Sequence, residues 1–229
     1  MAVPGWSNPS PARITRAMDV ISLTSIPSRF AGLGPVLESL LSQGADRVAL
    51  ALPRRYARFA GPVTPPPLPS GVTLLRPGAD HGPITKLLPA QARWPDARLI
   101  LCDDDCLYGA GWLDALCAAY RPGVAVAAST FPVSRLKRRG GLVAQGFAGV
   151  LLPPGITVPP PPEAVRAADD LWISAHLAQA GFGIVPSTGA RAHVTPHAAP
   201  AALQDADRAG VYALAAAHVH RTTGLWPPL

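Results

Sequence analysis

Long apolar runs, paired cysteines, charged residues and aromatics are all scarce in this sequence, and each shortage excludes a class of protein. No uninterrupted apolar run approaches the roughly 20 residues that span a bilayer, so the chain reads as soluble or peripheral. Cys102, Cys106 and Cys117 are its three cysteines, and they form neither a CxxC pair nor an even disulfide set. They read as buried thiols of a reducing compartment. Aromatics make up 6% of the chain, and none interleaves with the tight basic cluster of Arg135, Lys137, Arg138 and Arg139. A single-strand-binding face needs such interleaving, so nucleic acid is not an expected partner.

Charged residues are only 15% against 48% hydrophobic, the balance of a folding sequence and not of a disordered one. The 229 residues suffice for one sizeable core, with or without a small appendage. The formal net charge of +6 implies an anionic partner, which pI alone does not assign to nucleotide phosphate, lipid or nucleic acid. Positions 1–18 lack the apolar centre of a secretory signal and read as a loose, proline-containing leader ahead of a single domain over 19–229. The expected location is cytoplasmic, including the inner face of the membrane, where the basic run from Arg135 to Arg139 could meet anionic lipid. That run could equally close over phosphates or form a plain solvated loop.

What the chain does have is an alternation of strand and helix signals. Asp19 to Thr24 reads as a first strand. Leu33, Val36, Leu37, Leu40 and Leu41 recur at helical spacing, with Gly44 placed to end that helix. Arg47 to Leu52 is a second strand, positions 61–71 with five prolines are a loop, and Val72 to Leu75 is a third strand. A helix is predicted to open near Ile84, with Lys86 in its first turn. A lysine there opposes the helix dipole, so its placement needs another reason, such as a phosphate. Strands alternating with helices over the first 130 residues imply an α/β fold: a mostly parallel central sheet with helices on both faces.

The fourth strand carries the chemistry. In Arg98 to Tyr108, the apolar run Leu99 to Cys102 stops at three consecutive carboxylates, Asp103, Asp104 and Asp105. A buried strand that delivers carboxylates at its C-terminal end is how open α/β sheets place a ligand site. Alternation along an extended chain would send Asp103 and Asp105 to one side and Asp104 to the other. Like charges so close repel by several kcal/mol, in order of magnitude, in a low-dielectric site unless a cation lies between them. A solvated turn with helix-capping aspartates is the plainer reading. Trp112, Leu113, Leu116 and Tyr120 then give the following helix its apolar face, and Val124 to Ala128 is a fifth strand.

Beyond Ser129 the pattern changes. Gly140 to Leu152 is glycine-rich and apolar, as at a bulge or a close backbone approach to a ligand. Positions 157–162 hold four prolines in a row and form a connector. Asp169 and Asp170 then open a nearly all-apolar, hence buried, helix that ends at Gly181. A last helix is expected between Asp205 and His220.

Taken in order, VISLTSIPSRF, GADHGPITKLLPA, LILCDDDCLY, GFAGVLL and DDLWISAHLAQAGF resemble the nucleotide-sugar-dependent glycosyltransferases of the Rossmann-like GT-A fold. The likeness is to bacterial polysaccharide- or capsule-type members, of the glycosyltransferase family 2 kind, and covers roughly Val20 to Pro186. It implies a metal-dependent transfer from a nucleoside diphosphate donor, a UDP-sugar first, to a glycan or lipid-linked acceptor. Positions 19–130 would form the nucleotide half and 131–229 the acceptor half. Mn2+ or Mg2+ would sit on the acidic triplet, both being suited to oxygen ligands. Asp105 would be a direct ligand, with Asp103 sharing the metal or the ribose, and Asp104 facing the sugar or backing the ligands. Thr24, Ser25 and Arg29 would contact base and ribose, with Asp80 and Lys86 flanking the next crossover. Asp169 and Asp170 match the acidic pair that supplies the base in inverting members, Asp170 foremost. Such a base takes a proton from the acceptor hydroxyl. Burial would raise its pKa and the helix N-terminus would lower it.

Trp172 is a wall of the acceptor site or a core residue. Among the late histidines, His193 and His197 rank ahead of His218 and His220 as a metal ligand, with His193 taken first. Two other classes remain as alternatives. A sugar nucleotidyltransferase would need a glycine-rich loop after the first strand, where TSIPSRF has no glycine. A catalytically inactive carbohydrate- or nucleotide-binding relative would not need both acidic clusters.

Overall fold

β1 (Asp19–Thr24) is buried along almost its whole length, as expected of a strand covered on both faces. In the computed structural model, which describes residues 17–197 and 208–229, it is followed by α1 (Leu33–Leu41), β2 (Arg47–Ala51), β3 (Val72–Leu75) and α2 (Leu88–Arg93). β4 (Arg98–Leu101), β5 (Cys106–Tyr108), α3 (Trp112–Ala119) and β6 (Val124–Ala127) come next. Three short strands, β7 (Thr130–Pro132), β8 (Leu142–Ala144) and β9 (Val150–Leu152), lead to α4 (Asp169–Gln179). β10 (Gly183–Pro186), α5 (Thr188–Ala192), β11 (Val194–Pro196) and α6 (Arg208–Thr223) follow.

Seven strands form one sheet in the order β3-β2-β1-β4-β9-β6-β10. Only β9 runs against its neighbours β4 and β6; the other pairings are parallel. The fold is thus the expected Rossmann-like α/β sheet. Alternation along the strands divides their side chains between two cores. Ile21, Leu23, Leu50 and Ile100 pack with α1 and α3 on one face. Val20, Ala49, Leu99 and Leu101 pack with α2, α4 and α6 on the other.

Several expectations need correction. Lys86 is not in the first turn of an α-helix; it ends a 3-10 segment, Gly82–Lys86, ahead of α2. The triplet is not on β4, which stops at Leu101, but in the turn between β4 and β5. Gly140 to Leu152 divides into β8, a 3-10 turn over Gly146–Ala148, and β9. β7 pairs with β8, and β5 with β11, in two small sheets that were not anticipated. The last helix runs to Thr223 and not His220, while the first part of its expected span, like nearly all of the leader, lies outside the described residues. Among the described residues no helix is long and apolar enough to cross a membrane.

Candidate active site

The loops that leave the C-terminal ends of β1 and β4 meet at one edge of the sheet, and they carry most of the polar residues of the site. Ser25 directly follows β1 and is buried. Its hydroxyl donates to Asp104 Oδ2 at 2.5 Å, and Arg29 Nη1 donates to Asp104 Oδ1 at 2.5 Å. The same Arg29 nitrogen reaches Asp105 Oδ2 at 3.4 Å. Because the triplet is a turn, the strand alternation fails: Asp104 and Asp105 share Arg29, and Asp103 pairs with Lys86. The turn is braced from below by buried Tyr108, whose hydroxyl lies 3.0 Å from both the N–H and the carbonyl oxygen of Asp103 and 2.9 Å from the carbonyl of Phe147. Trp112 Nε1 donates to the Ala148 carbonyl at 2.8 Å, fastening the adjacent residue of the same segment.

Lys86 links the turn to the second acidic cluster. Its ammonium lies 2.6 Å from Asp103 Oδ1 and 3.0 Å from Asp169 Oδ2, and the residue is only 2% exposed. Burial alone would lower its pKa, but the charges of Asp103, Asp169 and Asp170 outweigh burial and hold it well above the usual lysine range. Its ammonium thus sits in a nest of carboxylates, and the first-turn position against a helix dipole, from which a phosphate partner was expected, is not there. Asp170 beside it is buried, and both its oxygens accept: Oδ1 from the Gly146 N–H at 2.9 Å, Oδ2 from the Tyr212 hydroxyl at 3.1 Å. Arg208 Nη2 donates in turn to that hydroxyl at 3.2 Å. Burial, followed by the charge of Asp169, pushes the Asp170 carboxyl up to about 7, with Lys86 opposing. The glycine is required here, since a Cβ on Gly146 would stand 2.8 Å from Lys86 Nζ and 3.2 Å from Asp170 Oδ1. The glycine-rich segment, expected to mark a bulge or a close backbone approach to a ligand, passes close to the site's own side chains at Gly146.

Other residues singled out in the sequence lie elsewhere or have structural tasks. The Thr24 hydroxyl donates to the Ala51 carbonyl at 2.7 Å, tying β1 to β2. Asp80 latches three loops: it accepts from the N–H groups of Ala57 and Gly82 and pairs with Arg166 at 3.3 Å. Trp172 is 8% exposed and donates to Pro159, which makes it a core residue holding the proline connector. His193 is placed away from the acidic turn: its carbonyl accepts from Gly109 at 2.7 Å and its ring lies against Gly111. The β5–β11 register instead puts His197 beside the triplet, its N–H donating to the Asp105 carbonyl at 2.8 Å. The basic run is pinned to the chain's last residues, Arg139 N–H to Pro227 and Leu229 N–H to the Lys137 carbonyl. Cys102 and Cys106 are buried, and burial pushes the Cys106 thiol up to about 12, so they are inert thiols. The sequence held little signal for Tyr108, Tyr212 and Arg208, each a lone polar group at the margin of an apolar or alanine-rich stretch.

Neither a protein-family model nor a curated protein matches the chain. Among solved structures it is similar to the mannosyltransferase PcManGT from Pyrobaculum calidifontis in complex with GDP-Man and Mn2+, at a TM-score of 0.47 and 15% identity. That similarity covers 76% of this chain and 55% of the mannosyltransferase, so the chain spans little more than half of that enzyme's length.

The donor set can be tested against a divalent cation. Five aspartates, at 103, 104, 105, 169 and 170, surround two basic side chains, Arg29 and Lys86. Burial raises the carboxyls of Asp104 and Asp105, with the charge of Asp103 adding to the effect at both and Arg29 opposing it. Asp103 and Asp105 leave 34% and 26% of their side chains open. Among the described residues no three His, Cys, Asp or Glu side chains converge as a complete metal cage. Two open carboxylates fit a small hard cation that takes its remaining ligands from water and phosphate.

Proposed function

We propose that the chain is a glycosyltransferase that moves a sugar from a nucleoside diphosphate donor, a UDP-sugar first, to a hydroxyl of a glycan or lipid-linked acceptor. The single observation that carries this reading is the Lys86 ammonium. It ties the acidic turn after β4 to the acidic pair of α4 at the C-terminal edge of the sheet. A diphosphate held at the first cluster and an acceptor hydroxyl at the second would then face one another across a single site.

In this reading Asp103 and Asp105 would hold Mn2+ or Mg2+, which when bound offsets the charge that builds on the departing diphosphate. Ser25 and Arg29 fix Asp104 and thereby the shape of the turn. Asp170, whose proton affinity lies near neutrality, accepts the proton of the attacking hydroxyl, the requirement for a general base at physiological pH. Asp169 and Lys86 set its charge environment, and Tyr212 fixes its orientation through the bond to Oδ2. A base of this kind supports direct displacement and hence inversion at the anomeric carbon. Positions 19–130 would carry the donor and 131–229 the acceptor. The free thiols fit a reducing, cytoplasmic setting.

The experiment is a donor screen for nucleoside diphosphate release with and without Mn2+, repeated on Asp105→Ala and Asp170→Ala. Metal-dependent release that both substitutions abolish is the expected result. Parental turnover in both variants would overturn the site assignment, and failure of every form to bind or consume any donor would favour a binding relative.

A further inference from the structure

Next to Asp170, a shallow, largely open depression of about 350 Å³ lies between β7, β8 and the start of α6, lined among others by Phe131, Arg135, Gln145, Arg208 and Tyr212. A second, larger one, of about 480 Å³, lies at the opposite edge of the sheet around Met18, Trp94 and Asp96, away from the acidic clusters. The smaller one is one hydroxyl away from the candidate base, since Tyr212 both lines it and donates to Asp170. Gln145 lines it too and immediately precedes Gly146, the other donor to Asp170.

The charges of this depression differ from those of the acidic site. Arg29, Lys86 and Arg166 each pair with an aspartate. Among the described residues neither Arg135 nor Arg208 pairs with a carboxylate. Arg208 gives one N–H to Tyr212 and lies over its ring, 5.3 Å from the centroid, so most of the five donors of its guanidinium remain. Arg135 sits on a 3-10 turn whose following residues are fixed to the chain's last residues, so its backbone position is set in advance. The Gln145 side-chain oxygen Oε1 accepts from the Ser129 hydroxyl at 2.9 Å, leaving the side-chain nitrogen Nε2 as a further donor. Phe131 and Tyr212, with ring centroids 6.0 Å apart, supply an apolar wall. The volume is at the small end of ligand sites, room for a single sugar ring with a substituent.

We infer that this depression binds an acceptor bearing a compact oxyanion, a carboxylate or a phosphate, and that Arg135 and Arg208 recognise that group. The identification of the ligand as the acceptor rests on the glycosyl-transfer reading; the anion preference itself does not. The two guanidiniums answer an electrostatic problem. An anionic acceptor approaching a site with an excess of carboxylates is repelled unless fixed cations offset that field. Planar guanidinium donors match carboxylate and phosphate oxygens, while a neutral sugar would leave them unmatched.

The test is calorimetric titration of the full chain with D-glucuronate, glucose 1-phosphate and glucose. It is repeated on Arg135→Gln, Arg208→Gln and the double variant. At least one anion should bind about tenfold more tightly than glucose, and each substitution should remove several-fold of that preference. The double variant should abolish it. Glucuronate alone preferred assigns a carboxylate, and glucose 1-phosphate alone a phosphate; either supports the inference. Glucose binding as tightly as both anions, or an undiminished preference in the double variant, overturns it. Both arginines are exposed, so the fold is expected to survive, with circular dichroism as the check. A parallel titration with UDP and Mn2+ separates the two readings. Anion preference without nucleotide binding would overturn glycosyl transfer and leave this site standing. Nucleotide binding without anion preference would overturn this site alone.

Discussion

The acidic turn after β4 and the acidic pair that opens α4 put the same residue type in opposite surroundings. Asp103 and Asp105 leave 34% and 26% of their side chains open, whereas Asp169 leaves 9% and Asp170 is buried with both oxygens already accepting. A half-open carboxylate can still reach a cation or a phosphate-bound ion, although burial raises the proton affinity of Asp105 as well. A buried one with both oxygens occupied and a neighbour of like sign, as at Asp170, is pushed up to about 7. Under the proposed reading the turn would compensate charge and the helix would transfer the proton, with environment and not residue type deciding the role.

The sharpest way to break this contrast is Asp170→Asn. The amide keeps the shape and can still accept from Gly146, but it takes no proton. Transfer to an acceptor should fall by about 10²- to 10⁴-fold, while nucleotide affinity, read by calorimetry with Mn2+, should stay unchanged. A comparable loss of nucleotide affinity would merge the two clusters into one role.

Lys86→Met tests the coupling between the clusters. The substitution keeps the stem but leaves Asp103, Asp169 and Asp170 facing one another without the ammonium between them. Removing one partner from a buried ion cluster costs about 3–5 kcal/mol, which for a chain of this size is a drop of roughly 10 °C in the thermal midpoint. Lowering the pH toward 5 should recover part of it, because protonating a carboxylate then relieves the repulsion. A shift of only a degree or two would mean that the clusters are neighbours without coupling.

Asp105→Asn sharpens the other side. Nucleoside diphosphate affinity in Mn2+ should weaken about tenfold, and the metal-free affinity should hardly change. Equal weakening with and without metal would place Asp105 on the nucleotide itself.

The elements of the first half were legible because each has one strong periodicity. Asp19 to Thr24 and Val72 to Leu75 are strands bounded by turn residues, and Leu33 to Leu41 has a complete apolar face. The second half was less so. β7, β8 and β9 are three residues each, too short for alternation to register, and they are held by pairing between distant segments. Within the site, the aspartates could be found from their grouping, but Lys86 could not be assigned its partners, which lie 17 residues along the chain and on α4. The choice of histidine depended on the register of β11, which sets His197 and not His193 against the turn. Tyr212 and Arg208 were invisible because their function is visible only against Asp170, some 40 residues earlier.

Tyr212→Phe gives the smallest effect and the most selective one. The hydroxyl donates to Asp170 Oδ2, a bond that favours the charged carboxylate over its protonated form. Without it Asp170 should hold its proton to higher pH. The base must be deprotonated to work, so the rate should rise through an apparent pKa near 7 in the parent and later in the variant. Near pH 6 a loss of a few-fold is expected, vanishing by about pH 9. Stability provides an independent reading of the same proton. The folded chain keeps it up to about 7, while the unfolded chain releases it near 3.9, the ordinary aspartate value. Between those limits the folded state binds more protons, so this group's contribution to stability falls as pH rises from about 4 to 7 and is flat above. In Tyr212→Phe that decline should continue past 7. A tyrosine that merely fills space would lower the rate by the same factor at every pH and leave the stability profile unmoved, so the two profiles together decide whether it acts on Asp170.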